Sequence, residues 1–172
     1  MYKPSTTKER HRRFWMAQTR FLSRLYRTPL VTVAAIRGAC PAGGCGMAMC
    51  CDHRVMVSSK ASKIGLNEVA IGIVPPRYWA KVMQQLIGTR ISEKYLIVGK
   101  MAGWKEALEV GLVDEVVSKE ELLNAARRAA TRILKRPYQA RAMTKYMLRN
   151  DLGKKWENFA EEETELVWRS IS

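Results

Sequence analysis

The sequence predicts an α/β fold, on three observations. LVTVAAI at 30–36 is a short, valine-rich apolar run; a turn containing Gly38 and Pro41 follows it directly; and 43–51 then takes up a helical, apolar pattern before a second short run, HRVMV, at 53–57. Runs of this length bounded by turn residues read as strands buried on both faces, and strand, turn and buried helix in succession make stacked layers. The chain has 172 residues, 47% hydrophobic and 27% charged. That suffices for one domain with a substantial core, and the composition is that of an ordered globular protein.

Ahead of these strands, residues 8–27 carry Phe14, Gln18, Phe21, Leu22, Leu25 and Tyr26 at a helical period, with Arg12, Arg13, Arg20 and Arg24 mostly elsewhere. This predicts an amphipathic helix laid against the core; a basic helix lying on a membrane surface is the alternative. Pro29 ends it. After HRVMV, a brief extended stretch at Lys63 and Ile64 leads into GLNEVAIGIVPP, where Pro75 and Pro76 forbid a continuing helix. Helices are expected at 79–87, 92–98 and 103–109, a brief strand within 112–117, a helix at 120–134, and a helical segment from Pro137 that breaks near Gly153. A last helix, 156–168, combines Phe159, Leu166, Val167 and Trp168 with Glu161, Glu162, Glu163 and Glu165. It needs an apolar neighbour, which another subunit could supply.

Thirty Lys and Arg against 16 Asp and Glu give a formal charge of +14. Such an excess attracts polyanions without choosing among nucleic acid, anionic lipid and the phosphates of a nucleotide-containing cofactor. The local cluster Lys8, Arg10, His11, Arg12 and Arg13 reads first as a solvated helical face. No RRM, KH or zinc-finger pattern supports nucleic acid as the partner. No run of 18 apolar residues predicts a transmembrane helix, and the N-terminus lacks the apolar stretch of a secretory signal. Cys40, Cys45, Cys50 and Cys51 share one apolar stretch without the spacing of a redox pair or a zinc site, and His11 and His53 are the only imidazoles. Buried thiols, no metal and a reducing compartment are the expectation.

Two segments can carry chemistry. In CPAGG, 40–44, a strand-to-helix turn can aim free amide hydrogens at a developing negative oxygen, with Gly43 the preferred donor and Gly44 supporting the tight path. Alone it reads first as a glycine-rich packing turn; it is neither a Walker loop nor a dinucleotide fingerprint. Glu68 stands among Ile64, Leu66, Val69 and Ile71, where partial desolvation would raise its proton affinity and suit it to remove a proton next to a carbonyl. Alone it also fits a surface or helix-capping glutamate. Together the two are coherent, because a proton beside a thioester can be removed only if the resulting enolate oxygen is stabilised.

On these residues, PLVTVAAIRGACPAGGCGMAMCCDHRVM and IGLNEVAIGIVPP above all, the sequence resembles the crotonase, or enoyl-CoA hydratase/isomerase, superfamily from about Phe21 to Val117. Within it the combination ACPAGGC with GLNE is similar to the mitochondrial delta-3, delta-2-enoyl-CoA isomerase branch. The resemblance implies a partial crotonase-like spiral core over 1–118 and a helical C-terminal region, 119–172, that mediates homotrimer formation. It implies a fatty enoyl-CoA substrate, with coenzyme A part of the thioester and no separate cofactor, and a mitochondrial or, alternatively, peroxisomal location. It implies isomerisation in fatty acid beta-oxidation: Glu68 as the single base and Gly43 as one oxyanion donor. Gly46 stands where hydratases of the family carry a second glutamate, which favours isomerisation over hydration. The family's other oxyanion donor belongs to an earlier segment with no counterpart in this sequence. The expectation is therefore an N-terminally truncated copy, with a catalytically incomplete binding or assembly module as the alternative to an enzyme.

Overall fold

A computed structural model describes residues 6–171. The first helix, α1 (Lys8–Arg27), starts where Thr7 Oγ1 accepts the Arg10 N–H at 3.2 Å, capping an otherwise unpaired donor. Its buried stripe is His11, Trp15, Thr19, Leu22, Ser23 and Tyr26. The expected face was half right: Leu22 and Tyr26 are buried, but Phe14 and Phe21 are exposed. The correction follows from packing, because α1 is held by α2 (Ala42–Cys50), α7 (Tyr138–Asn158) and α8 (Ala160–Ile171), and these partners jointly set the stripe.

Two small sheets follow. In the first, β1 (Val33–Ile36), β3 (His53–Val57) and β6 (Glu115–Val117) run parallel in the order β1-β3-β6. In the second, β2 (Cys40–Pro41) lies parallel to β4 (Lys63–Gly65), and β4 pairs antiparallel with β5 (Ala102–Gly103). The strand buried on both faces is β3, not the run at 30–36. Met56 enters the main core with Trp15, Leu22, Met49, Ile64, Trp79, Met83, Leu112 and Trp156, while Val55 and Val57 pack on the other face against Leu122 and Ala125 of α6 (Leu122–Leu134). β1 is an edge strand with Ala35 exposed, and Leu30 lies outside it at 65% exposure. The remaining helices are α3 (Arg77–Ile87), α4 (Thr89–Val98) and α5 (Trp104–Glu109), close to the expected spans. None of the helices among the described residues is long and apolar enough to cross a membrane.

Gly153 does not break its helix. α7 runs through it because α1 comes so close that a Cβ there would sit 2.5 Å from Arg27 Cγ, and Arg27 is also tied to Ser23 O and the Glu157 carboxylate. The last helix therefore starts at Ala160, later than expected, and its neighbour is α1 of the same chain. Lys8 pairs with Glu165 at 2.9 Å and Arg12 with Glu161 at 2.6 Å. His11 is no part of a solvated face: it is fully buried against Trp15 and Trp168, and burial lowers its pKa.

Glu163 on α8 is buried as well, facing the Arg77 and Tyr78 N–H groups at the start of α3 and the Trp156 indole N–H, while neither of its carboxylate oxygens completes a hydrogen bond. Burial pushes its carboxyl up to about 7, against the pull of those donors and of the Arg77 guanidinium. A carboxyl with a raised folded-state pKa stabilises the fold below its unfolded-state value, and that contribution is lost as pH rises through about 7. Glu163→Gln should therefore leave the melting temperature near native at pH 5 and raise it at pH 8; thermal unfolding at the two pH values checks this.

Candidate active site

The register of the second sheet brings the two candidate segments together. Pro41 lies opposite Gly65 in the parallel β2–β4 pair, so both chains leave the sheet at the same end. Two residues beyond Pro41 is Gly43; three beyond Gly65 is Glu68. β2 passes into α2 through Ala42, which has φ 47°, the one left-handed residue other than glycine among those described. An L residue there costs roughly 1–2 kcal/mol. The reversal of hand between Ala42 and the helical Gly43 turns successive N–H groups toward one side, as in anion-binding turns. No side chain caps this helix, so the Gly43 N–H is among the donors free for a ligand.

Glu68 opens a 3-10 turn, Val69–Ile71, and its carbonyl accepts the Ile71 and Ile73 N–H groups at 3.0 and 3.1 Å. Its side chain neither lies on the surface nor caps a helix: it is 3% exposed, with Oε2 buried and unpartnered. Desolvation raises its pKa, and its own backbone N–H offsets part of that. The adjoining Asn67 Oδ1 is a second buried oxygen without a partner. Neighbouring orphan acceptors of this kind are costly, and they mark places where a fold keeps polar groups for a ligand.

Cys45 joins the two halves. It is fully buried one turn into α2, with the Gly65 N–H facing its sulfur, and it lies near enough to Glu68 for the carboxylate to raise its thiol pKa, which burial already holds well above the ordinary value. The thiol therefore stays protonated. Cys40 and Gly44 line an apolar groove of about 710 Å³ that runs between α1, β1 and α2 and reaches the CPAGG turn. Past Glu68, Val69, Ile71, Val74, Ile97 and Val98 are exposed, and they form apolar surface around the loop and the end of α4.

Gly65 carried no signal of its own in the sequence, yet it holds the site in place. A Cβ on it would fall 2.1 Å from Lys100 O, a backbone atom that cannot swing aside. Gly65→Ala should cost about 1–3 kcal/mol by overpacking. Urea unfolding of the variant reads this.

Comparison with known proteins agrees with this architecture. Residues 2–171 match the family described as enoyl-CoA hydratase/isomerase. The human mitochondrial enoyl-CoA delta isomerase 1 is 40% identical over 136 residues, 79% of this chain and 45% of that protein; the mouse protein is 41% identical, with 47% of it covered. The chain thus spans about half the length of these curated relatives. The crystal structure of human mitochondrial delta3-delta2-enoyl-CoA isomerase superposes with a TM-score of 0.94 at 34% identity, covering 98% of this chain and 65% of that one. An enoyl-CoA hydratase from Bacillus halodurans superposes at 0.81 and 25% identity, covering 95% and 65%.

Proposed function

We propose, from the premise that this chain belongs to the enoyl-CoA hydratase/isomerase family, that its site moves the double bond of a 3-enoyl-CoA to the trans-2 position. The observation that carries the reading is the β2–β4 register, which sets a buried, unpartnered Glu68 beside the uncapped first turn of α2. Glu68 takes a proton from C2, whose carbanion is delocalised into both the thioester and the alkene. The negative charge gathers on the thioester oxygen, where the Gly43 N–H meets it. Glu68, now a carboxylic acid, returns the proton at C4, and the double bond comes to rest between C2 and C3. A base whose proton affinity has been raised by burial is suited to both steps, because it must accept and then release the same proton.

The isomerase relatives support this choice of reaction, and the apolar groove and rim supply surface for a fatty acyl chain. Coenzyme A enters as part of the substrate, and the reaction needs no further cofactor. The names of the mitochondrial relatives support a mitochondrial location; within it we assign the protein to the matrix, with the peroxisome the alternative. In the homotrimer we assign to it, the helical region 119–172 makes subunit contacts; α7 exposes Tyr138, Met143, Tyr146, Met147 and Leu148.

The test is conversion of trans-3-enoyl-CoA to trans-2-enoyl-CoA by the purified chain, with Glu68→Gln alongside. Turnover that the variant loses supports the reading; a folded chain without turnover rejects it for this chain. A second reading, a crotonase-like binding or assembly module without catalysis, draws on β1, whose outer edge has no strand partner among the described residues. Folded, inactive chain that assembles with complete family subunits would favour it.

A further inference from the structure

One face of α7 carries Arg141, Lys145 and Arg149, each four residues from the last, and the end of α6 with the turn after it adds Arg132 and Arg136 at the same spacing. Together they line a groove of about 520 Å³ in which Asp52 is the one acid. Like charges four apart repel along a helix, so the array does not stabilise either element by itself. Asp52 answers two of the five, standing 2.8 Å from Lys145 Nζ and 3.1 Å from Arg149 Nη1. Arg132, Arg136 and Arg141 have no carboxylate partner among the described residues. The negative end of α6 accounts for a cation at Arg132, in its last turn. It does not account for Arg141, which lies in the first turn of α7, where the helix field disfavours positive charge. Arg141 is nevertheless held in place: Nη1 donates to Pro29 O at 3.1 Å, and the guanidinium lies over the Tyr138 ring at 5.5 Å. Its Nε–H is buried and has no acceptor. A fixed guanidinium with a buried donor left open is a group ready for an anion.

We propose that the groove between α6 and α7 binds the phosphate of an organic phosphate ester, at a site separate from the thioester site. The guanidinium forks of Arg132, Arg136 and Arg141 come from two elements. The several oxygens of a phosphate can meet more than one fork at once, which the two oxygens of a carboxylate do less well. Ile133, Ala140 and Leu148 complete the lining with apolar surface, which suits the carbon body of an ester better than a hydrated inorganic ion. The groove lies at the far end of α2 from Gly43. Arg149, one of its lining residues, donates to Cys50 O at the last residue of that helix, roughly 10 Å along the axis from the candidate oxyanion donor. A soluble ester and a phospholipid headgroup present the same phosphate chemistry, and the test distinguishes them.

Inorganic pyrophosphate is the soluble probe, followed by calorimetry; phosphatidylcholine vesicles with and without phosphatidic acid are the lipid probe, followed by co-sedimentation. Both are applied to the full chain. Arg132→Gln with Arg136→Gln removes two exposed side chains and should leave the melting temperature near native. This pair should weaken binding of the responding probe about 10- to 100-fold, the range for losing a charge-assisted hydrogen bond. Arg20→Gln with Arg24→Gln on α1 removes the same charge elsewhere and should leave binding near native at physiological salt. A response to pyrophosphate assigns a soluble ester; a response to phosphatidic acid alone assigns the headgroup. If neither probe binds, the proposal fails. It fails equally if the α1 pair weakens binding as much as the groove pair, because the formal charge of +14 is then responsible rather than the groove. Coenzyme A that displaces the responding probe also overturns it, since the groove would then belong to the substrate's own site. All of these are binding measurements, so a chain without isomerase turnover defeats the isomerase reading and leaves this one to be decided by its own data.

Discussion

Glu68→Gln should reduce isomerase turnover by about 1,000-fold, in the middle of the range for removing a general base, while the melting temperature holds or rises. The two halves of this result have one cause. A carboxylate at 3% exposure with an unpartnered oxygen is held in the fold against its own preference for water. Burial raises its pKa, so its ionised form costs the folded state. The stability associated with the protonated form is present below the unfolded-state pKa and is lost as pH rises through the raised folded value. Glutamine keeps the shape and never ionises, and the stability gain of the variant should therefore widen from pH 4 to pH 8. A purely structural glutamate would behave oppositely, with activity and melting temperature falling together. Kinetics and thermal unfolding across that pH range separate the two.

The largest loss of stability should come from Asp52→Asn, at about 3–5 kcal/mol. Asp52 accepts the Thr32 N–H at 2.9 Å and the Thr32 hydroxyl at 3.2 Å; Lys145 Nζ stands 2.8 Å away and Arg149 Nη1 3.1 Å. Lys145 also donates to Leu30 O, and Arg149 to Tyr26 O and Cys50 O. One carboxylate thus ties α7 to the end of α1, the end of α2 and the approach to β1. Lys145 is 8% exposed, and burial lowers its pKa against the pull of Asp52. Without the carboxylate it is an uncompensated buried ammonium. For a chain of this size the loss should lower the melting temperature by about 10 °C. Pairing Asp52→Asn with Lys145→Met should recover part of it, because the orphaned charge is then gone. A double variant as unstable as the two losses added together would mean that no such coupling exists.

Asp52 attracted no attention in the sequence, where it is one more acid after two cysteines. Its partners stand 20, 93 and 97 positions along the chain, and no local pattern announces a hub of that kind. Glu68 and Gly43 were legible because each sits in a short motif whose residues are neighbours in both sequence and space. Their approach to one another was not legible, since it depends on the pairing of Pro41 with Gly65 across two very short strands. The same holds for β1 and β3. Both are valine-rich runs of similar look, and only the sheet order tells the edge strand from the strand buried on both faces.

By itself, then, the sequence determined the α/β class and the family, and it offered Glu68 as a candidate base and Gly43 as a candidate oxyanion donor. These rest on interactions between near neighbours: hydrophobic period, proline and glycine geometry, and a contiguous motif. Tertiary structure alone decided which face α1 buries, that α7 continues through Gly153 against Arg27, that α8 finds its neighbour in α1, and that Trp79 fills the space above Gly46. Each of these is a packing decision between residues far apart in the chain. Its energy comes from excluded volume and buried charge that exist only once the elements have met.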